Sequence, residues 1–219
     1  MNTGDVPVPG PEQADVDTAA LREPPHASRD LRREHVHVLR MLKVLEAIRP
    51  RLAQGESLPA DDWESIVNFL RVFVDRCHHG KEERVLFPAV VHVADDRTRT
   101  LVEELLVEHV EGRQFVAALA AAVGAGPTLP GDQERQRGFD QAAADAAIVG
   151  YVELIRPHVL SEEKQLFPFA DATLAPEFQE TLQGEYDHIQ SELTGAGSHE
   201  AFEDTVTRLK ERYLPRPGR

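Results

Sequence analysis

The stretch His78-His79-Gly80-Lys81-Glu82-Glu83-Arg84-Val85-Leu86-Phe87-Pro88 returns 80 positions later as His158-Val159-Leu160-Ser161-Glu162-Glu163-Lys164-Gln165-Leu166-Phe167-Pro168. Both copies obey one frame, H-x-x-x-E-E-x-x-L-F-P. Four residues of an α-helix turn the chain by about 400°, so each His and the Glu four places on share one face, a turn apart. An imidazole and a carboxylate on one inward face, supplied twice, is how a helical bundle holds a pair of metal ions. A lone H-x-x-x-E is weak evidence, because about one or two arise by chance in a chain rich in His and acids. The doubled frame is far more specific.

Aligning the copies pairs His78 with His158 and Glu82 with Glu162, whereas His79 is matched by Val159. Neighbouring residues of an α-helix point about 100° apart, so His78 and His79 cannot both aim at one interior site without distortion. His78 is the expected ligand and His79 the less essential one. Glu34-His35 and Glu108-His109 each place a histidine on the apolar stripe of a further helix. The set is then His35, His78, Glu82, His109, His158 and Glu162, a pseudo-twofold arrangement. Its bland alternatives are hydrogen-bonded core histidines and solvated helix-face pairs. Four imidazoles and two carboxylates suit Fe, Zn, Cu or Ni rather than Mg or Ca, and two irons bridged by Glu82 and Glu162 fit best. Glu34, Glu83, Glu108 and Glu163 either orient the histidines or lie exposed. His92, His188 and His199 fall outside the repeat and read as structural or exposed.

The elements that must position these residues are helical throughout. From Ser28, Leu31, His35, Val38, Leu39, Leu42, Leu45 and Ile48 recur at three and four, ending near Gly55 and Pro59. Asp61-Asp62 offer a cap to a second helix carrying Ile66, Phe69, Leu70, Phe73, Val74, Cys77 and His78, which ends at or just beyond Pro88. A third helix spans about 96–123 and a fourth about 132–167, where Pro157 predicts a kink just before His158. Two shorter helices follow, about 177–193 and 198–213. No alternating Val/Ile/Thr-rich run predicts a strand. The expected fold is all-α: an antiparallel up-down four-helix bundle over residues 27–171, a disordered tail over 1–26, and a C-terminal helical appendage over 172–219 packed on the bundle.

Composition narrows the partners. The 219 residues, 41% hydrophobic and 28% charged, suit one globular unit. A formal charge of −14 argues against nucleic acid and anionic membranes, which require clustered cations. The single cysteine, Cys77, excludes an internal disulfide framework, and with no secretory signal pattern a cytoplasmic location is expected. The most apolar run, Phe115 to Ala122, is far shorter than the roughly 20 residues that span a bilayer.

With Phe73, Asp75, Cys77-His78-His79-Gly80-Lys81-Glu82-Glu83, Glu108-His109, Gly112-Arg113 and Leu166-Phe167-Pro168 in place, the chain resembles the hemerythrin-like, or HHE cation-binding, proteins over about Leu31 to Asp171. The resemblance implies a four-helix bundle with two non-haem Fe ions, carboxylate- and oxo- or hydroxo-bridged, that bind dioxygen or peroxide. Carried over residue by residue, it gives ligand roles to His35, His78, Glu82, His109, His158 and Glu162. One departure stands out. Where the oxygen carriers of the family have a further histidine four residues after the one matching His109, this chain has Arg113. Two histidines per six-coordinate iron leave an open or water-filled position on each, which favours peroxide-type chemistry or sensing over reversible carriage. Tyr151, seven residues before His158, and His79 are the candidates to fill one, and Arg113 either steadies a bound oxygen species or makes a salt bridge. The expected function is binding of oxygen species for sensing, storage or detoxification. A catalase-like or oxidase enzyme, and a helical scaffold with another metal or none, are the alternatives.

Overall fold

A computed structural model of the chain describes residues 26–56, 58–125, 139–194 and 198–214. Every regular element among them is helical: α1 Arg29–Ala53, α2 Ala60–Asn68, α3 Phe87–Val93, α4 Asp96–Ala122, α5 Gln141–Ser161, α6 Phe167–Thr173, α7 Pro176–Thr194 and α8 Ser198–Tyr213. Between α2 and α3 the chain winds as a π-helix over Phe69–His79 and again over Glu82–Leu86, and between α5 and α6 over Glu162–Leu166. Residues 60–93 and 141–173 are therefore two unbroken helical runs. The two shorter π stretches occupy the same place in the two copies of the repeated frame.

The apolar residues fall into two clusters with the histidines between them. Along α1 the order is Leu31 in one cluster, then His35, then Val38 in the other. Along residues 60–93 the order reverses, from Phe73 and Val74 through His78 and Glu82 to Leu86 and Phe87. It reverses again along α4, where Leu105 precedes His109 and Val116 follows, and once more from Val159 through Glu162 to Leu166. The polar residues thus occupy one level of the interior, sealed above and below by hydrocarbon.

Side-chain caps account for the starts of α4 and α5. The Asp95 carboxylate accepts from the Thr98 N–H at 2.8 Å and that of Asp140 from the Ala143 N–H at 3.0 Å, each satisfying one of the donors that a helix start leaves unpaired. The fourth helix therefore begins at Gln141, later than the periodicity predicts; 126–138, like most of the 1–26 tail, lie outside the described residues. The kink predicted at Pro157 does not interrupt α5, which continues to Ser161. Pro157 and Glu153 are both exposed, so water can take the carbonyl that proline leaves without a donor.

The helices α7 and α8 lie against the segments that carry the histidines. α7 packs on both π stretches of residues 60–93, and α8 on α1 and Phe69–His79. Polar ties fix them: the Ala27 N–H donates to Gln179 Oε1 at 2.9 Å, and the buried Asp62 accepts from the Tyr213 hydroxyl and from Arg208 Nη1 at 2.6 Å. No helix among the described residues is long and apolar enough to cross a membrane.

Candidate metal centre

Two groups of buried ligand atoms converge between the clusters: His35, His78, Glu82 and Glu162 in one, and His79, Glu82, His109 and His158 in the other. Each group's ligand atoms lie within 4.8 Å of one another. Glu82 belongs to both. Its Oε1 is 3.5 Å from His78 Nε2 and its Oε2 3.5 Å from His109 Nε2. Glu162 is placed in the mirrored way, with Oε1 3.3 Å from His158 Nε2 and Oε2 3.1 Å from His35 Nε2. The six residues singled out by the repeat and its flanking histidines are thus brought together.

Five imidazoles meet here, however, and not four. His79 is 4% exposed and stacks on His109 with ring centroids 3.8 Å apart. The preference for His78 over His79 follows from α-helical winding, and Phe69–His79 does not wind that way. A π-helix bonds i to i+5 and is wider; the Gly80 N–H reaches the Asp75 carbonyl, five residues back. Successive side chains then diverge less than in an α-helix, and His78 and His79 serve neighbouring groups. Nothing in residue spacing announces this winding.

Each of the other four histidines is held by a carboxylate on its second nitrogen. His78 Nδ1 is 2.9 Å from Glu34, His35 Nδ1 2.8 Å from Glu163, His109 Nδ1 2.8 Å from Glu83, and His158 Nδ1 2.7 Å from Glu108. Such partners fix the tautomer, turn Nε2 towards the centre and raise its basicity. All four are the glutamates beside the ligand residues in sequence, so adjacency in the repeat was a usable signal. Three are supported by cations: Glu163 by Arg32, Glu83 by Arg113 Nη2 at 2.6 Å, and Glu34 by the buried Lys81 Nζ at 2.5 Å. The C-terminal helices add Gln190, which accepts from Lys81 at 3.1 Å, and His199, 3.4 Å from Glu34. His199 was not expected here, because it lies outside the repeat and only the packing of α8 brings it in.

Arg113 is engaged by Asp75, at 2.6 Å, as well as by Glu83. Together with Tyr151, His79, Asp75 and Arg71 it lines a cavity of about 270 Å³. Tyr151 is 3% exposed, its phenol pushed up by burial and by Asp75. Leu105 on α4 is buried, whereas its neighbour Leu106 is 38% exposed. Cys77 is buried, its thiol pushed up to about 11 chiefly by burial.

The electrostatics match a cation-binding set. Burial drives His78 down to about 4 despite Glu34 and, with the neighbouring imidazoles, drives His79 well below its usual range. Against burial, Glu162 and Glu108 raise His158 to about 9. Burial and the adjacent Glu162 push Glu82 well above the ordinary carboxylate range, while His158 and His35 hold Glu162 down against its own burial. His35 Nε2 and both carboxylate oxygens of Glu82 and Glu162 are buried without a hydrogen bond, the close approaches above lacking the necessary alignment. Leaving such groups unpaired in hydrocarbon is costly, and one cation in each group would satisfy them. Imidazole with carboxylate is the donor set of Fe, Zn and their neighbours.

Comparison with known proteins agrees with this centre. An uncharacterized protein of Mycobacterium tuberculosis and one of Mycobacterium bovis are each 27% identical to the chain over 214 residues, covering 95% of it and 77% of the relative. No solved structure matches. Residues 26–170 match the pattern of the hemerythrin HHE cation binding domain, a span that holds all five histidines and both carboxylates of the two groups. The chain belongs to the hemerythrin HHE cation-binding domain family.

Proposed function

We propose that this protein holds two non-haem irons in an antiparallel four-helix bundle and binds dioxygen or a reduced oxygen species there, for sensing, storage or detoxification in the cytoplasm. The observation that carries the reading is the sharing of Glu82 between two buried groups, mirrored by Glu162 between His158 and His35. One carboxylate facing two ligand sets is what a bridged metal pair requires, and a single-ion scaffold has no use for it. His35 and His78 would hold one iron, and His79, His109 and His158 the other. An iron pair supplies one- and two-electron changes and a position for a small oxygen species.

The fifth imidazole alters the coordination arithmetic. With His79 included, the His79–His109–His158 half would offer its iron three imidazoles and the His35–His78 half only two, so the second half would be the one with room for a small oxygen species. That favours binding at one defined place over the doubly open centre expected from four histidines. The surrounding chain keeps the position selective: Glu34, Glu83, Glu108 and Glu163 fix the imidazoles, while Phe73, Val74, Leu105 and Ile155 exclude water.

Peroxide added to iron-loaded protein tests this. A single stoichiometric change in the visible spectrum is expected. Sustained oxygen release at catalytic rates would instead make the protein a catalase-like enzyme.

A further inference from the structure

Outside the two metal groups, the buried polar side-chain atoms without a hydrogen bond among the described residues are His37 Nδ1 and the hydroxyl of Tyr186. Tyr186 is fully buried and sits on α7, beyond the span of the family match. A tyrosine is rarely placed in a dry interior with its hydroxyl unpaired, since that leaves a donor desolvated for nothing that phenylalanine would not supply.

The position of α7 says what the hydroxyl is near. Tyr186, Ile189 and Gln190 follow one another at three and four, on one helical face. Ile189 Cγ2 lies 3.9 Å from where a Cβ on Gly80 would be, Gln190 accepts from Lys81, and Lys81 Nζ is 5.9 Å from the centre of the Tyr186 ring. This face therefore covers the turn that carries His78, His79 and Glu82. After burial, the charge felt most by the phenol is that of Glu82, then those of Glu34 and Asp30 on the α1 side. Lys81 Nζ, over the Tyr186 ring, is itself bound to Glu34, the carboxylate that holds His78, so the side chain lies on the His78 side of the centre.

We propose that Tyr186 is a positioning residue of the metal centre, its hydroxyl donating a hydrogen bond to the Glu82 carboxylate in the metal-loaded protein. A helix beyond the matched domain then completes the site from outside, and α7 is part of the centre and not an ornament on it. The inference rests on the metal-centre reading above. A donor to one oxygen of a bridging carboxylate draws charge from the bridge and fixes its orientation, as partners of ligands do elsewhere.

Zinc, which is diamagnetic, is the probe. Protein labelled with carbon-13 at tyrosine Cζ has three such carbons, assigned by single Tyr→Phe substitutions. On zinc loading the Tyr186 resonance is expected to move while that of Tyr213, bonded to Asp62, stays. Tyr186→Phe, which keeps the ring, is expected to weaken zinc retention against a chelator by about 10-fold. Zinc bound with the Tyr186 resonance unmoved, or retention unchanged in a folded Tyr186→Phe protein, would overturn the assignment. If Tyr186→Phe does not fold, the Tyr151→Phe and Tyr213→Phe proteins assign the spectrum and the resonance alone decides. Failure of zinc and iron alike to bind would overturn the metal-centre reading, and this inference with it.

Discussion

At the scale of single residues, the centre depends on which of two adjacent histidines faces inward, and both do. His79→Ala is therefore expected to lower bound metal from two ions per chain towards one, the same direction as His78→Ala, measured by elemental analysis of reconstituted protein. Tyr151→Phe is expected to leave the stoichiometry unchanged, since five imidazoles and two shared carboxylates suffice without it. Protons compete with the metal. His158, raised to about 9, is protonated at neutral pH and must lose that proton to bind, so loading releases acid and apparent affinity rises with pH towards about 9. Metal titrations in weak buffer at several pH values read both effects. The repeat made His78, Glu82, His158 and Glu162 legible in the sequence, and apolar periodicity made His35 and His109 so. His79 was legible only as one of two candidates, beside Tyr151, because residue spacing implies α-helical winding and the chain is π-wound there. His199, Gln190 and Tyr186 were illegible because only tertiary packing delivers them.

At the scale of elements, the sequence revealed nearly every helix, and missed how three stretches are wound. Hydrophobic spacing tolerates a change from α to π over a few turns, because a buried stripe stays buried while its azimuth drifts. Contacts between helices are more exacting. A Cβ on Gly150 would come within 2.2 Å of the Phe115 ring, so Gly150→Ala is expected to destabilise the α4–α5 pair by about 1–3 kcal/mol, with Phe115→Leu recovering much of it in chemical denaturation. The C-terminal helices hang partly on Asp62. Burial raises its carboxyl, yet Tyr213, Arg208 and Arg212 outweigh that and hold it below its ordinary 3.8. A lowered carboxyl contributes stability that is complete above the unfolded value and lost as pH falls through the folded one, so this contact weakens only below about pH 4. Asp62→Asn is expected to cost about 1–3 kcal/mol at neutral pH, with most of that difference gone in acid; urea melts at the two pH values check it.

At the scale of the whole molecule, the charge of −14 and the orphaned carboxylates describe a protein finished by cations. Metal binding to the folded state alone would stabilise the protein by mass action: about 2.7 kcal/mol at a free metal concentration 100 times Kd. The most direct test of the central claim is an anaerobic ferrous titration of metal-free protein followed by elemental analysis and the absorption spectrum after oxygen. Two irons per chain and a near-ultraviolet band of a bridged diferric pair are expected. Saturation at one iron per chain, or a mononuclear spectrum, would contradict the shared role of Glu82 and the account built on it.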